Sequence, residues 1–310
     1  MPVFHDDSFL STDGKTPIRV RRCSPDGAPR AVVQIAHGIA EHAERYDDFA
    51  AFLASHGFVV VINDHLGHGK SIRGPEDQGF FAEHDGWNTV VEDMHLLYER
   101  TGGEFYQLPY ILMGHSMGSF LTRSFLIRHP EARLAGAILS GTAQQSPSVI
   151  LSGKLAAGLE VRRHGKRYCS PLLSRLAFSG NNRCFKPQRT DFDWLSRDNA
   201  VVDAYVADPL CGFAPTTGLF QDLAEGLQFM ETFSHLKRMN KSLPVYFFSG
   251  DMDPVGGNGK GVRRACADFC RAGMQDVTLK LYPGARHECL NELNKAQVYQ
   301  DVLDWIEKKI

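Results

Sequence analysis

Gly114-His115-Ser116-Met117-Gly118 holds a serine between two glycines, each two residues away. An apolar run, "YILMGH" (110–115), precedes it and an amphipathic segment, "SMGSFLTRSFLIRHP", follows, so the serine sits where a strand turns sharply into a helix. A side chain at either glycine would collide with so tight a turn. The helix start offers unpaired N–H groups and a positive dipole end, which suit an oxygen that gains charge during acyl transfer. Ser116 is therefore the candidate nucleophile, and it needs a base. Of 13 histidines, His287 in "YPGARHE" directly follows the last apolar run. His115 adjoins Ser116, but neighbours on such a turn point apart, so packing is its expected role. The acid that would hold the base belongs after the preceding run, in "PVYFFSGDMDPVG". Asp251 and Asp253 both qualify. Asp253, further out and followed by Pro254, is the better placed, and Asp251 is the alternative.

A second cluster, "AHGIAEHAERY" (36–46), gathers His37, Glu41 and His42. As a metal site it fails on spacing, because a helical H-x-x-E-H motif leaves two residues between His and Glu, whereas three lie here and one is Gly38. "DHLGHG" offers Asp64, His65 and His68, but its glycines suit a buried loop better than a ligand set. The expectation is no metal and no cofactor.

These groups need a frame. "AVVQIA" (31–36), "FVVVIND" (58–64), "YILMGH" (110–115), "AGAILSG" (135–141), "PVYFFSG" (244–250) and "VTLKLYPG" (277–284) are continuous apolar runs, as in strands covered on both faces. Helical periodicity fills the gaps: "RYDDFAAFLASHG" stops at Gly57, "GWNTVVEDMHLLYERTG" follows, and the helix after Ser116 stops before Pro130. This order predicts an α/β fold, a mostly parallel central sheet with helices on both faces. "SPDGAPR" (24–30) reads as a hairpin or surface loop. From about 143 to 240 the alternation lapses into helical and loop-like segments, too long for a plain connection. The chain thus divides into a core, 1–142 and 241–310, and a helical cap, 143–240, over the sheet's carboxyl edge, where such sheets bind ligands.

Composition narrows the function. A formal charge of -2 leaves no footprint for nucleic acid. No apolar run approaches the ~18 residues of a membrane span, and "MPVFHDDSFL" lacks the marks of a signal peptide. Seven cysteines without a C-x-x-C pair suit free thiols in a reducing, cytoplasmic setting. Oligomeric state leaves no trace in the sequence.

"HGIAEHAERY" (37–46), "DHLGHGKS" (64–71) and "GHSMGS" (114–119), with "GDMDPVG" and "GARHE", resemble the monoacylglycerol lipase and lysophospholipase branch of the α/β-hydrolase superfamily. The chain order Ser, Asp, His is that superfamily's. The resemblance implies an oxyanion hole from the backbone amides of Ile39 and Met117, with His37, Gly38, Glu41, His42 and Arg45 bracing the turn. It implies a lipid-facing cap and hydrolysis of lipid esters such as monoacylglycerol or lysophospholipid. Ala40 stands where the family often has Gly. Dehalogenases and epoxide hydrolases use an aspartate where Ser116 stands; an aminopeptidase, an acyltransferase or a non-lipid carboxylesterase is the alternative.

The cap carries Lys154, Arg162, Arg163, Lys166, Arg167, Arg175, Arg183, Lys186 and Arg189 between residues 151 and 189, against the single acid Glu160. That run is either a solvated face or a surface for transient contact with an anionic membrane. Leu155, Leu159, Leu172, Leu173, Leu176 and Phe178, interleaved with it, are the expected wall of an acyl groove.

Overall fold

The computed structural model describes residues 2–310. Its eight-stranded sheet runs β1-β2-β4-β3-β5-β6-β7-β8. The strands are β1 (Val3–Leu10), β2 (Pro17–Ser24), β3 (Ala31–Ala36), β4 (Phe58–Asn63), β5 (Tyr110–His115), β6 (Gly136–Ser140), β7 (Val245–Gly250) and β8 (Val277–Tyr282). From β4 to β8 every pairing is parallel, while β1 and β2 add an antiparallel end.

Alternate residues of these strands enter opposite layers, as the two-residue period requires. Val32, Val59, Val61, Leu112, Leu139 and Phe247 face a core shared with α2 (Gly86–Glu104), α3 (Met117–Arg128) and α9 (Lys260–Arg271). Val33, Val60, Ile62, Met113, Ile138 and Phe248 face the other, shared with α1 (Asp47–Ser55) and α10 (Lys295–Glu307). Over β3 to β7 both sides of the sheet are covered, which explains why those five strands read as unbroken apolar runs; β8, at the sheet's other edge, is only half-buried or exposed apart from Tyr282.

Two strands escape that signal. β1 is an edge strand whose side chains are mostly exposed, so it carries little apolar pattern. The hairpin joining β1 to β2 turns at Ser11–Thr16, where Asp13 accepts the N–H groups of Lys15 and Thr16, each over 2.8 Å. "SPDGAPR" is a loop leading from β2 into β3 and not a hairpin.

Between β6 and β7 lie only helices among the described residues: α4 (Pro147–His164), α5 (Pro171–Phe178), α6 (Asn199–Ala207), α7 (Thr217–Glu231) and α8 (Phe233–Leu236). α7 packs on α2 and α3 and buries Leu219 and Met230 in the first core. At Gly226 a Cβ would come within 2.1 Å of the Trp87 ring, so α7 and α2 meet where no side chain fits. α4 and α5 lie further out, with Leu155 66% and Leu176 67% exposed.

Candidate active site

The loops leaving β3, β5, β6, β7 and β8 converge at one edge of the sheet. Ser116, at the end of β5, has φ 51° and ψ -121°, a strained conformation that packing must enforce. A Cβ at Gly114 would lie 2.2 Å from the Gly118 carbonyl oxygen, and one at Gly118 would lie 2.0 Å from that of Ala36. Both glycines therefore let the turn press against its own helix and against β3. Hydrogen bonds fix the peptide on each side: Ser116 N–H donates to the Ser140 carbonyl over 2.9 Å, and Ser119 Oγ–H to the Ser116 carbonyl over 2.6 Å. Met117 opens α3, where the backbone N–H has no acceptor within the helix.

His287 donates Nδ1–H to Asp253 Oδ1 over 2.9 Å, so the proton sits on Nδ1 and Nε2 is left to act as a base. Asp253 has no solvent exposure; its Oδ1 also accepts Val255 N–H and its Oδ2 accepts Ser249 Oγ–H, each over 2.9 Å. Burial pulls the His287 pKa down, but the charge and hydrogen bond of Asp253 outweigh it and the net shift is upward. The imidazole lies between Trp194 and His115, at ring-centroid distances of 5.0 and 4.8 Å. Asp251 is engaged elsewhere, accepting Gly284 N–H over 2.7 Å. Of the two acids, Asp253 is the one that meets His287. His115 contacts Ser140 Oγ at 3.2 Å, and burial, then the neighbouring His287, drives its pKa down to about 4.

Beside Ser116 runs the turn after β3. His65 N–H donates to His37 Nε2 over 2.9 Å, which leaves His37 Nδ1–H to donate to the Gly38 carbonyl over 2.7 Å. Glu41 Oε1 accepts Gly38 N–H over 2.6 Å and Tyr46 Oη–H over 3.0 Å. Arg45 donates to Glu41 over 2.7 Å and, through both terminal nitrogens, to Glu288 over 2.6 Å each. A buried carboxylate, guanidinium and carboxylate thus join the turn to the residue after His287. Ala40 has φ 54°, in the left-handed region, and its carbonyl accepts Tyr205 Oη–H and Gly212 N–H, each over 2.9 Å.

Among the described residues, neither His37, Glu41 and His42 nor Asp64, His65 and His68 bring ligand atoms around one point. Asp64 instead accepts the N–H groups of Ala43 and Lys70, each over 2.8 Å. His65 and His68 pack around His37, at ring-centroid distances of 4.1 and 5.4 Å.

Ser116, Ile39 and His287 line a cavity of about 440 Å³ walled by Phe178, Phe192, Trp194, Leu195, Phe213 and Pro215. The expected groove wall is corrected here. Only Phe178 of the named residues lines the cavity; Leu173 is buried beside Ala157 and Phe220, and Leu155, Leu159, Leu172 and Leu176 face solvent. The irregular segments 182–195 and 211–215 supply the wall, and irregular chain carries no periodicity to read. Glu288 also escaped the sequence reading, although it adjoins His287 in "GARHE". An acyl chain fits this space chemically, and a serine and a histidine that line it together have the residue types that acyl transfer uses.

The profile of the family described as serine aminopeptidase, S33 (Hydrolase_4) matches residues 27–294. A monoacylglycerol lipase of Mycolicibacterium smegmatis is 31% identical over 295 residues, covering 91% of this chain and 90% of that protein. The monoglyceride lipase of Rattus norvegicus is 26% identical over 97% of this chain and 90% of its own length. Among solved structures, a thermostable carboxyl esterase of Bacillus coagulans superposes with a TM-score of 0.92 at 28% identity, covering 99% of both chains. By the extent of these matches and by its sheet, the chain belongs to the Hydrolase_4 family of α/β-hydrolases.

Proposed function

We propose that the protein hydrolyses carboxylic esters of lipids, monoacylglycerols or lysophospholipids, through an acyl-enzyme on Ser116. One observation carries this reading: the strained serine and the Asp253–His287 pair open onto the same largely apolar cavity. The names of the relatives, monoacylglycerol lipase and monoglyceride lipase, support the same substrate class.

In the first step Ser116 Oγ attacks the ester carbonyl while His287 Nε2 takes its proton and Asp253 stabilises the imidazolium. The Ile39 and Met117 amides stabilise the oxyanion, each worth roughly a hundredfold in rate. The alcohol leaves with the proton held by His287. Water, deprotonated by the same nitrogen, then releases the fatty acid. No cofactor enters these steps.

The aminopeptidase reading needs a free carboxylate for the substrate's ammonium group. Of the three carboxylates lining the cavity, Glu41 and Glu288 are already paired with Arg45, which leaves the exposed Asp191 as the one an ammonium group would use; the largely apolar wall favours the neutral substrate. Residues 143–240 serve as the cap in this scheme. Its exposed leucines on α4 and α5, beside Arg162 and Arg163, would make transient contact with an anionic membrane surface. Among the described residues no helix is long and apolar enough to cross a membrane. All seven cysteines are free thiols, in keeping with a cytoplasmic setting.

The test is a panel of p-nitrophenyl esters, monoacylglycerols, lysophospholipids and aminoacyl amides. Turnover should rise with acyl length until the cavity is full, each buried methylene being worth about 0.8 kcal/mol. Preference for aminoacyl amides, or a flat chain-length profile, would overturn the lipid reading. Acyl transfer to glycerol in preference to water would make the protein an acyltransferase.

A further inference from the structure

His42 is not needed for the chemistry above, yet it stands at a junction. Its Nε2–H donates to Asp208 Oδ2 over 2.8 Å, and Cys211 lies beside both. The three ligand atoms fall within 4.8 Å of one another. We propose that His42, Asp208 and Cys211 form a site for a divalent cation of zinc's class, which staples the 208–212 loop to the turn after β3.

The donor set is the first reason. One imidazole, one carboxylate and one thiolate suit a borderline-soft ion such as Zn²⁺, and three protein ligands leave a fourth position for water. Geometry is the second. Ligands at ~2.0–2.3 Å in a tetrahedron lie roughly 3.3–3.7 Å apart. The His42–Asp208 pair, now 2.8 Å apart, must open by about half an ångström, and the sulfur, within 4.8 Å of the other two ligand atoms, must close in by at most about 1 Å.

Preorganisation is the third reason. Cys211 N–H donates to the Asp208 carbonyl over 3.0 Å, closing a turn that puts both side chains on one side. Leu210 N–H donates to Asp208 Oδ1 over 2.8 Å, which leaves Oδ2 toward His42. Gly212 N–H holds the loop on the Ala40 carbonyl. Such supporting hydrogen bonds orient ligands before an ion arrives. His42 and Cys211 are buried while the Asp208 side chain is 30% exposed, so the carboxylate marks the route in. On binding, the Cys211 thiol proton leaves to solvent and the His42 imidazole carries its proton on Nδ1, freeing Nε2 for the ion.

The other grouping of donor residues, Glu92, His95 and His129, is a poorer candidate. Its two imidazoles stack at 3.8 Å with planes 6° apart, so their lone pairs run parallel and do not converge.

The experiment uses the full chain, freed of metal and titrated with Co²⁺ and then Zn²⁺. The wild type should develop a thiolate-to-cobalt charge-transfer band at one equivalent, and Zn²⁺ should displace it. Cys211→Ala should lose the band and weaken Zn²⁺ binding more than about 100-fold, beyond what a change to a supporting group costs. The double variant Cys266→Ala/Cys270→Ala should keep the band. Absence of the band in the wild type, or its survival in Cys211→Ala, overturns the proposal. If Cys211→Ala does not fold, X-ray absorption of the zinc-loaded wild type decides. One sulfur among the ligands supports the site; none or two rejects it. Slower ester turnover on Zn²⁺ binding would further depend on Ile39 acting as an oxyanion donor, whereas the spectroscopic outcome does not.

Discussion

Tyr205 Oη donates to the Ala40 carbonyl over 2.9 Å, so α6 reaches the residue that follows Ile39. Ala40 holds a left-handed φ of 54° there. That conformation costs an L-residue about 1–2 kcal/mol, while glycine gives up about 0.5–1 kcal/mol of chain entropy instead. Ala40→Gly should accordingly raise stability by up to about 1 kcal/mol in denaturant titration. Tyr205→Phe should lower it by about 1 kcal/mol, since one of two donors to a buried carbonyl is lost. Opposite signs in either experiment would reject this account of the turn.

Ser116→Ala should abolish ester turnover in a folded protein, and a fluorophosphonate should label Ser116 alone. Asp253→Asn should cost about 10⁴ in kcat, because an amide favours the wrong imidazole tautomer. Asp251→Asn touches only the Gly284 amide and should leave kcat nearly intact. A reversed order between the two acids would move the role to Asp251.

The base works only when neutral. Since Asp253 raises the His287 pKa above its ordinary 6.5, kcat/KM should fall on acidification with a midpoint above 6.5. In stability the sign is opposite: a raised pKa adds to folding below the unfolded value and is lost as pH climbs through the folded one. A pH–rate profile with an acid limb below 6.5 would refute the pairing.

Arg45 neutralises two buried carboxylates at once. Arg45→Met would leave Glu41 and Glu288 unpaired, and should destabilise by about 3–5 kcal/mol. Burial pushes the Glu41 pKa up, but Arg45, His115 and His37 outweigh it and hold it below the ordinary 4.5. Glu41 thus contributes stability above pH 4.5 that disappears as pH falls through its depressed value. In the variant, acid unfolding should begin at higher pH; an unchanged acid midpoint would mean that the pair carries no net stabilisation.

The basic run can be narrowed. Arg167 donates to Asp77 over 2.9 Å and Arg189 pairs with Asp203, whereas Arg162 and Arg163 lie exposed at the end of α4. Arg162→Glu/Arg163→Glu should weaken binding to anionic vesicles, and the difference should shrink at high salt, where exposed charges are screened. Hydrolysis of p-nitrophenyl acetate should be unaffected. Equal vesicle binding by wild type and variant would leave the run a solvated face.

The parallel strands were legible because burial on both faces writes itself as unbroken apolar runs, and the strand–serine–helix pattern placed Ser116 at the carboxyl edge. The residue types after β7 narrowed the acid to two positions and Pro254 favoured Asp253, while the fold gives the partner of each. One turns to His287 and the other to Gly284. β1 was illegible because an edge strand buries few side chains. The cavity wall was misassigned for a related reason. Helical spacing shows which leucines share a face, not which face looks inward, and Trp194, Tyr205 and Phe213 come from stretches whose placement depends on distant partners.

β1 has a further bearing on how the protein behaves in company. It pairs with β2 on one side only, and its other backbone groups form a template on which a strand of another molecule could be laid. Asp6 and Asp7 guard that edge with negative charge, and Asp6 is tied back to Arg19 and Arg21 on β2. Replacing both carboxylates, as in Asp6→Asn/Asp7→Asn, removes the guard while the sheet still stands. At neutral pH that variant should therefore associate edge to edge, with light scattering rising without any loss of secondary structure.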